Sequence, residues 1–213
     1  MPDATTFALF AAACLAFLVI PGPSVFYIVT RSLVQGRRAG VTSMLGVQAG
    51  GLVHVVAAAF GVSALIASSA AAFTVVKYAG VAYLVFLGLR KLLGRDHAAL
   101  EDVPRGSAST AHLFTHGVIV NVLNPKTALF FLAFLPQFVD PSAGPVAPQM
   151  LVLGTMLVCI GVLSDGTYAL LAAGAGNKLR SAVATRRKLE RVSGGVFVGL
   201  GVVAALAGEP RQS

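Results

Sequence analysis

Charged residues are scarce in this sequence, and acidic residues are the scarcest. Asp, Glu, Lys and Arg make up 11% of its 213 residues, against about 25% in a typical soluble domain. Hydrophobic residues reach 56%, and the mean hydropathy is +0.83. These values exclude an ordinary soluble domain and predict an integral membrane protein. The net charge of +8 does not indicate a nucleic-acid partner, because the basic residues cluster just outside apolar runs, where they orient membrane helices.

The sequence lacks the residue patterns that disulfide frameworks, ATP hydrolysis, enzymatic catalysis and metal binding need. Cys14 and Cys159 lie inside apolar runs, so we expect buried thiols and no disulfide framework. The sequence has no P-loop and no nucleophile–base arrangement, which argues against ATP-driven transport within this chain and against an enzyme. His112 and His116 have the spacing of two ligands on a helix, but no acidic or thiol residue stands beside them. We therefore expect no metal site and no cofactor.

Six apolar runs are long enough to cross a membrane, which takes about 20 residues. They predict an all-α membrane protein with one transmembrane domain and spans at residues 7–30, 40–63, 73–93, 113–138, 149–173 and 192–207. The first run has no basic residue before it and is too long for a cleaved signal peptide, so we expect it to remain. A polar cytoplasmic linker, 94–112, separates two halves of three spans each, about 5–93 and 113–208.

Basic residues are distributed unequally between the two sides of the predicted spans. The loops after spans one, three and five hold thirteen of the 16 Lys and Arg residues; the exceptions are Lys77, Lys126 and Arg211. Loops rich in Lys and Arg stay in the cytoplasm. The predicted topology therefore places both termini on the outer, periplasmic or extracellular, side of the membrane.

The two halves resemble each other in sequence. In spans three and six, "KYAGVAYLVF" (77–86) aligns with "RVSGGVFVGL" (191–200), and in spans one and four "PGPSVFYIV" (21–29) aligns with "LNPKTALFF" (123–131). The alignment sets Pro23 against Pro125, and His54 against Asp165. Since each half has an odd number of spans, the second half must insert upside down. The sequence thus predicts an inverted 3+3 repeat, an architecture typical of transporters whose binding site lies near the midplane.

Prolines interrupt spans one and four at matching places. A proline in a helix interior costs roughly 3 kcal/mol, so we expect both helices to break there and restart. The free N–H groups at a restarted end suit an anion such as a carboxylate; for either site taken alone, a plain kink is the alternative. The predicted substrate-binding residues are Pro21, Gly22, Pro23, Ser24, Asn124, Pro125, Lys126 and Thr127.

A few polar residues lie deep within the predicted spans. Asp165 is the one acidic residue there, and a charge at that depth costs at least about 2.5–3.5 kcal/mol, which favours function over packing. Lys126 would bind a substrate carboxylate or neutralise Asp165. His54 follows Gly46 and Gly50 at four-residue steps, which is also the pattern of ordinary helix packing. The predicted proton-coupling residues are Asp165 and His54, and the weaker site candidates are Gln48, Asn121 and Tyr168.

The coupling expected from the sequence runs through Lys126. A nearby ammonium group favours the ionised form of Asp165. A substrate carboxylate that competed for Lys126 would therefore favour protonation of Asp165, so that proton and substrate binding are linked through one shared cation. Asn124, which precedes a proline, is expected to cap the restarted helix.

Four long motifs, one in each of the first four spans, carry a family resemblance. They read "PGPSVFYIVTRSLVQGRRAGV", "GVQAGGLVHVVAAAFGVSALI", "VVKYAGVAYLVFLGLRKL" and "GVIVNVLNPKTALFFLAFLPQFV". Together they resemble the LysE/Rht family of bacterial amino-acid exporters over nearly the whole chain. The resemblance implies efflux of amino acids or small derivatives, with proposed coupling to the proton gradient. Many members carry an acidic residue soon after the glycines of span two; this chain has Gly51 there, with His54 as the nearest polar residue.

The sequence therefore predicts a secondary-active exporter in the bacterial cytoplasmic membrane. Its expected partners are an amino-acid substrate, protons and the lipid bilayer; small-residue stripes leave a homodimer open. One alternative is a cation or metal exporter of a related family, which would need several carboxylates, histidines or thiolates converging in the spans. A passive channel is another alternative, although in this chain the two paired proline motifs differ and one holds a lysine.

Overall fold

The computed structural model describes residues 2–19, 21–62 and 108–175, together with single positions between 64 and 89. Most of the predicted third span, the linker up to residue 107 and the predicted sixth span lie outside the described residues, and so does the alignment of 77–86 with 191–200. The described part is helical throughout and contains no strand.

Six α-helices and four shorter turns follow one another in the described part. Two of the turns are π-helical and two are 3₁₀. In chain order the elements are α1 (Ala4–Val19), α2 (Pro23–Gln35), α3 (Arg37–Ala57) with a π turn (Ala58–Val62), α4 (Thr110–Val122), α5 (Pro125–Leu129) with a π turn (Phe130–Phe134) and a 3₁₀ turn (Leu135–Phe138), a 3₁₀ turn (Pro141–Ala143) and α6 (Val146–Ala175).

Up to four membrane spans are present in the described residues. Two helices, Arg37–Gly61 and Val146–Gly174, are long and apolar enough to cross alone. Two bent pairs qualify together: α1 with α2, bent by 55°, and α4 with the segment Pro125–Phe138, bent by 47°. These four agree with predicted spans one, two, four and five, and both bends fall at the proline motifs. An all-helical membrane fold with two broken helices is thus present, and the six-span inverted repeat stays a prediction.

The connection between α2 and α3 is shorter than the sequence predicts. Gly36 is the single residue between the two helices, and its φ of 84° is a left-handed conformation that glycine adopts without strain. Arg31, expected in a cytoplasmic loop, lies inside α2 and is buried. Arg37 and Arg38 form the first turn of α3. The chain reverses in one residue because glycine needs no wider loop to do so.

Glycines bring α3 and α4 into backbone contact. A Cβ on Gly46 would overlap the Phe114 carbonyl group, and one on Gly117 would lie 2.6 Å from the Ser43 carbonyl oxygen. The spacing of Gly46 and Gly50 is therefore used for helix packing, as membrane helices without a hydrophobic driving force require. This contact holds the middle of α4 against the middle of α3.

The two cysteines have different environments. Cys14 is buried in the aromatic core around Phe10 and Phe130, as predicted. Cys159 is exposed, so the prediction of a buried thiol is wrong at this position. An apolar run in a membrane protein has an outward face as well as a buried one, and Cys159 lies on the outward face of α6.

Candidate functional site

A cavity of ≈ 50 Å³ lies where the two helix breaks meet. At about 10–15 Å³ for each water, it has room for roughly three to five water molecules. Seven polar side chains line it, five of them from the broken spans and one each from α3 and α6: Ser24, Gln48, Asn121, Asn124, Lys126, Thr127 and Asp165. Gly22 and Gly51 complete the wall together with the apolar residues Phe17, Leu18, Val25, Val47, Phe131, Leu157 and Val158.

Lys126 belongs to the second break and contacts the first. Its Nζ donates a hydrogen bond of 2.7 Å to the carbonyl oxygen of Phe17 and stands 4.2 Å from the centroid of the Phe17 ring. Phe17 lies in the last turn of α1, where carbonyl groups lack partners within the helix and carry partial negative charge. Gly22 leaves room for the Lys126 side chain, because a Cβ on Gly22 would lie 3.0 Å from Lys126 Cδ. A buried cation is thus placed at the first break.

Asp165 stands on the α6 side of the cavity and is buried. Its Oδ2 accepts a hydrogen bond of 2.8 Å from Gln48 Nε2 on α3. Its Oδ1 is buried too, and it accepts no hydrogen bond from the residues that the structure describes. One carboxylate and one ammonium group therefore line the same small cavity.

Asn121 connects the two breaks. Its Oδ1 accepts hydrogen bonds from the hydroxyl groups of Ser24 (3.1 Å) and Thr127 (2.9 Å), and its Nδ2 donates to the Val47 carbonyl oxygen at 2.7 Å. Asn124 adds a second link, because its Nδ2 donates to Ser24 Oγ at 2.9 Å. All four hydrogen bonds are buried, so movement at one break must disturb the other.

Asn124 also caps α5, as its position before Pro125 predicts. Its Oδ1 accepts a hydrogen bond of 3.0 Å from the Lys126 backbone N–H. Pro23 and Pro125 each occupy the first position of a restarted helix, where a missing N–H is harmless. Neither proline lines the cavity, nor does Pro21. The prolines shape the breaks, and their neighbours form the cavity wall.

His54 and Tyr168 do not line the cavity. His54 Nε2 is 3.0 Å from the Asn121 carbonyl oxygen, and the imidazole stacks on Phe131. Because a carbonyl oxygen only accepts, this contact assigns the proton to Nε2. The Tyr168 hydroxyl donates to the Val19 carbonyl oxygen at 2.9 Å. Each side chain therefore satisfies a carbonyl group at the end of a broken helix.

Sequence reasoning missed the apolar side of the cavity. Phe17, Phe131, Leu157 and Val158 line it, and nothing in their sequence context distinguishes them from ordinary packing residues. The role of Gly161 was also missed: a Cβ there would collide with the Gln48 amide, at 2.8 Å from its Oε1. Its four-residue spacing from Asp165 was the available signal, because it places both on one face of α6.

Comparisons with known proteins give the chain its relatives. The family model of the LysE type translocator matches residues 15–208. An uncharacterized membrane protein of Vibrio cholerae is 36% identical over 192 residues, which cover 90% of this chain and 92% of that protein. A homoserine/homoserine lactone efflux protein of Salmonella typhimurium is 33% identical over 152 residues, which cover 71% and 73%. No solved structure matches the chain. The chain therefore belongs to the LysE type translocator family, whose members are transporters and not enzymes.

Proposed function

We propose that this protein is a secondary-active exporter of amino acids across the bacterial cytoplasmic membrane. The observation that carries the proposal is the pairing of Lys126 and Asp165 in one buried cavity between two helix breaks. An amino acid is a zwitterion and needs one buried group of each charge. The efflux activity named for the Salmonella relative supports the direction of transport.

The three parts of an amino acid have matching surfaces in the cavity. The carboxylate is assigned to Lys126 and to the start of α2, where the N-cap residue is Gly22 and has no side chain to occupy the first N–H groups. The ammonium group is assigned to Asp165. The side chain is assigned to the apolar wall of Phe131, Leu157 and Val158. Since Asp165 is the one carboxylate among the described lining residues, amino acids with uncharged side chains fit best.

Binding requires the broken helices to separate, since the cavity has room for only a few water molecules. Such a movement is the alternating access of transporters built from inverted repeats. Contacts across the two breaks support this repeat. Ser24 follows Pro23 and bonds to Asn121, in the last turn of α4. In the same way, Lys126 follows Pro125 and bonds to Phe17, in the last turn of α1. The long helices α3 and α6 each donate one side-chain hydrogen bond to a carbonyl group at one break. The donors are His54 of α3 and Tyr168 of α6.

Proton coupling is assigned to Asp165, the carboxyl group within the described spans. His54 is hydrogen-bonded to the Asn121 carbonyl oxygen. We therefore assign it a role in holding the break between α4 and α5, and not the role of a second proton site. A metal exporter is the weaker candidate: among the described residues, no cluster of three His, Cys, Asp or Glu side chains could hold a metal ion.

Efflux from cells fed with dipeptides tests the function directly. Cells with and without the protein receive dipeptides that release each of the twenty amino acids in turn, with homoserine tested separately. We expect faster appearance of uncharged amino acids in the medium of cells that contain it. Equal efflux from both kinds of cell for every compound would contradict the proposal.

Reporter fusions test the proposed topology. Both termini outside and residues 94–112 in the cytoplasm follow from the distribution of Lys and Arg. A reporter active only in the cytoplasm should be silent when fused after Ser213 and active within the linker. An active fusion at Ser213 would overturn the orientation.

A further inference from the structure

The two oxygens of the Asp165 carboxylate have different surroundings. Oδ2 accepts a hydrogen bond of 2.8 Å from Gln48 Nε2, and both side chains are buried. Oδ1 is buried in the same cavity-lining residue and accepts no hydrogen bond within the described part of the chain. A buried acceptor without a partner is costly. Oδ1 is therefore the atom at which a ligand would gain most.

Gly161 makes the Gln48 contact possible. A Cβ on Gly161 would lie 2.8 Å from Gln48 Oε1, 3.1 Å from its Nε2 and 3.2 Å from its Cδ, so the whole amide group rests on this glycine. Gly166, on the same helix and next to Asp165, differs: among the described residues, a Cβ there would meet only Met44 Cε, at 3.8 Å. The slot for Gln48 is specific to Gly161.

We propose that Asp165 Oδ1 is a single exchange oxygen, which a proton and the primary ammonium group of the substrate occupy in turn. Gln48, seated on Gly161, is the positioning residue that keeps Oδ2 out of this exchange. The inference rests on the proposed function and adds to it the atom, the competing ligands and the residues that enforce the competition.

The exchange balances in atoms and charge. Facing the cytoplasm, the O–H bond at Oδ1 breaks, the proton leaves, and an ammonium N–H of the substrate donates to the same oxygen. Facing outward, the ammonium group leaves and an incoming proton forms the O–H bond again. Each step replaces one positive charge with another. Because proton and substrate exclude each other, one proton enters for each substrate that leaves, and the linkage is reciprocal.

This competition has the opposite sign to the coupling expected from Lys126 alone. A substrate carboxylate that engaged Lys126 would favour protonation of Asp165, so that proton and substrate would load together. With the ammonium group on Oδ1, substrate binding displaces the proton. An exporter driven by inward proton flow requires the second arrangement.

Among the described residues, the other titratable groups near Asp165 do not take part in the exchange. Lys126, on α5, faces the same cavity and is assigned to the substrate carboxylate. Tyr168, on α6, donates to a carbonyl of α1, and His54, on α3, contacts the carbonyl of Asn121. The cavity-lining residues of α1 and α2 are uncharged. The pH dependence of substrate binding is therefore attributed to Asp165.

Homoserine exchange in vesicles tests the proposal between about pH 5.5 and 7, where an α-amino group stays protonated. For the wild type we expect the apparent KM to rise as the pH falls, by up to about tenfold per pH unit, the limit for one competing proton. The maximal rate should stay unchanged. Gly166→Ala, the matched control, should behave like the wild type.

Two variants release Oδ2 and should weaken the competition. In Gly161→Ala and in Gln48→Leu, a proton on one oxygen and an ammonium group on the other can coexist. We expect the dependence of KM on pH to shrink below about threefold per unit, with exchange retained. A Gly161→Ala profile identical to that of Gly166→Ala would overturn the positioning role.

A chemical comparison in the wild type keeps the proposal falsifiable if a variant fails to fold. Homoserine lactone keeps the ammonium group, whereas N-acetylhomoserine lacks it. We expect inhibition by the lactone to weaken as the pH falls, and no such trend for the acetylated compound. A KM that is independent of pH, with exchange active, would overturn this inference alone. Absence of homoserine exchange at every pH would overturn the proposed function, and this inference with it.

Discussion

The two helix breaks contribute different things to one cavity. At the first break the N-cap residue of α2 is Gly22, so the break supplies free backbone N–H groups and space. At the second break the side chain of Asn124 already caps α5, and the break supplies a charged side chain, Lys126. Two breaks at matching proline motifs therefore need not be chemically symmetric. One break can hold an anion by its backbone while the other provides the cation that neutralises it.

The carbonyl groups at the ends of α1 and α4 also accept hydrogen bonds from different kinds of donor. The end of α1 depends on side chains from the second half of the chain: Lys126 bonds to Phe17, and Tyr168 bonds to Val19. At the end of α4 the chain's own backbone contributes, through the Asn124 N–H to the Asn121 carbonyl oxygen. The first break therefore depends more on distant contacts, and its geometry should respond more strongly when they are removed.

Loss of the cation should have the largest effect. Lys126→Met removes the group assigned to the substrate carboxylate and leaves the Phe17 carbonyl group without this donor. Because truncating one partner of a buried charge pair costs about 2–5 kcal/mol, we expect the efflux rate to fall about 100-fold at normal membrane abundance. Thr127→Val, at the next position, removes a hydroxyl group but no charge and should cost about tenfold or less. Equal losses in the two variants would contradict the role of the charge.

The prolines should rank next, and they should differ from each other. Pro125 is the one proline in the second break, so Pro125→Ala allows α4 to continue into α5 and should lower export about tenfold. In the first break Pro21 remains when Pro23 is replaced, so Pro23→Ala should lower export only about threefold. Efflux and membrane abundance are measured together, and we expect abundance to change less than export. Normal export by both variants would contradict a role of the motifs in transport and leave them as plain helix kinks.

The smallest effects should come from the two side chains that donate to helix ends. Tyr168→Phe and His54→Phe each remove one hydrogen bond and keep a ring, which costs about 0.5–1.5 kcal/mol. Transport should fall about fivefold or less, with a slightly lower unfolding temperature in detergent. If His54→Phe instead lost accumulation driven by a pH gradient while keeping exchange, His54 would be a coupling residue, as the sequence alone suggested.

The breaks and the charged residues were predictable from the sequence, because each violates a strong rule. Prolines within an apolar run disrupt a helix, and Asp165 and Lys126 carry charge at membrane depth. The contact between Gln48 and Asp165 was not predictable, since it joins residues 117 positions apart. The buried position of Arg31 was missed because one glycine replaced a loop. Pairings of this kind depend on how the helices pack, and local pattern does not contain that information.

Asp165→Asn in vesicles with an imposed pH gradient tests the central claim, that Asp165 couples substrate export to the proton gradient. Asparagine keeps the size and an oxygen acceptor but cannot exchange a proton. The variant should lose gradient-driven accumulation of homoserine while retaining some exchange of labelled for unlabelled homoserine. Accumulation equal to that of the wild type would contradict the claim, because a residue that cannot bind the proton could not then be the coupling site.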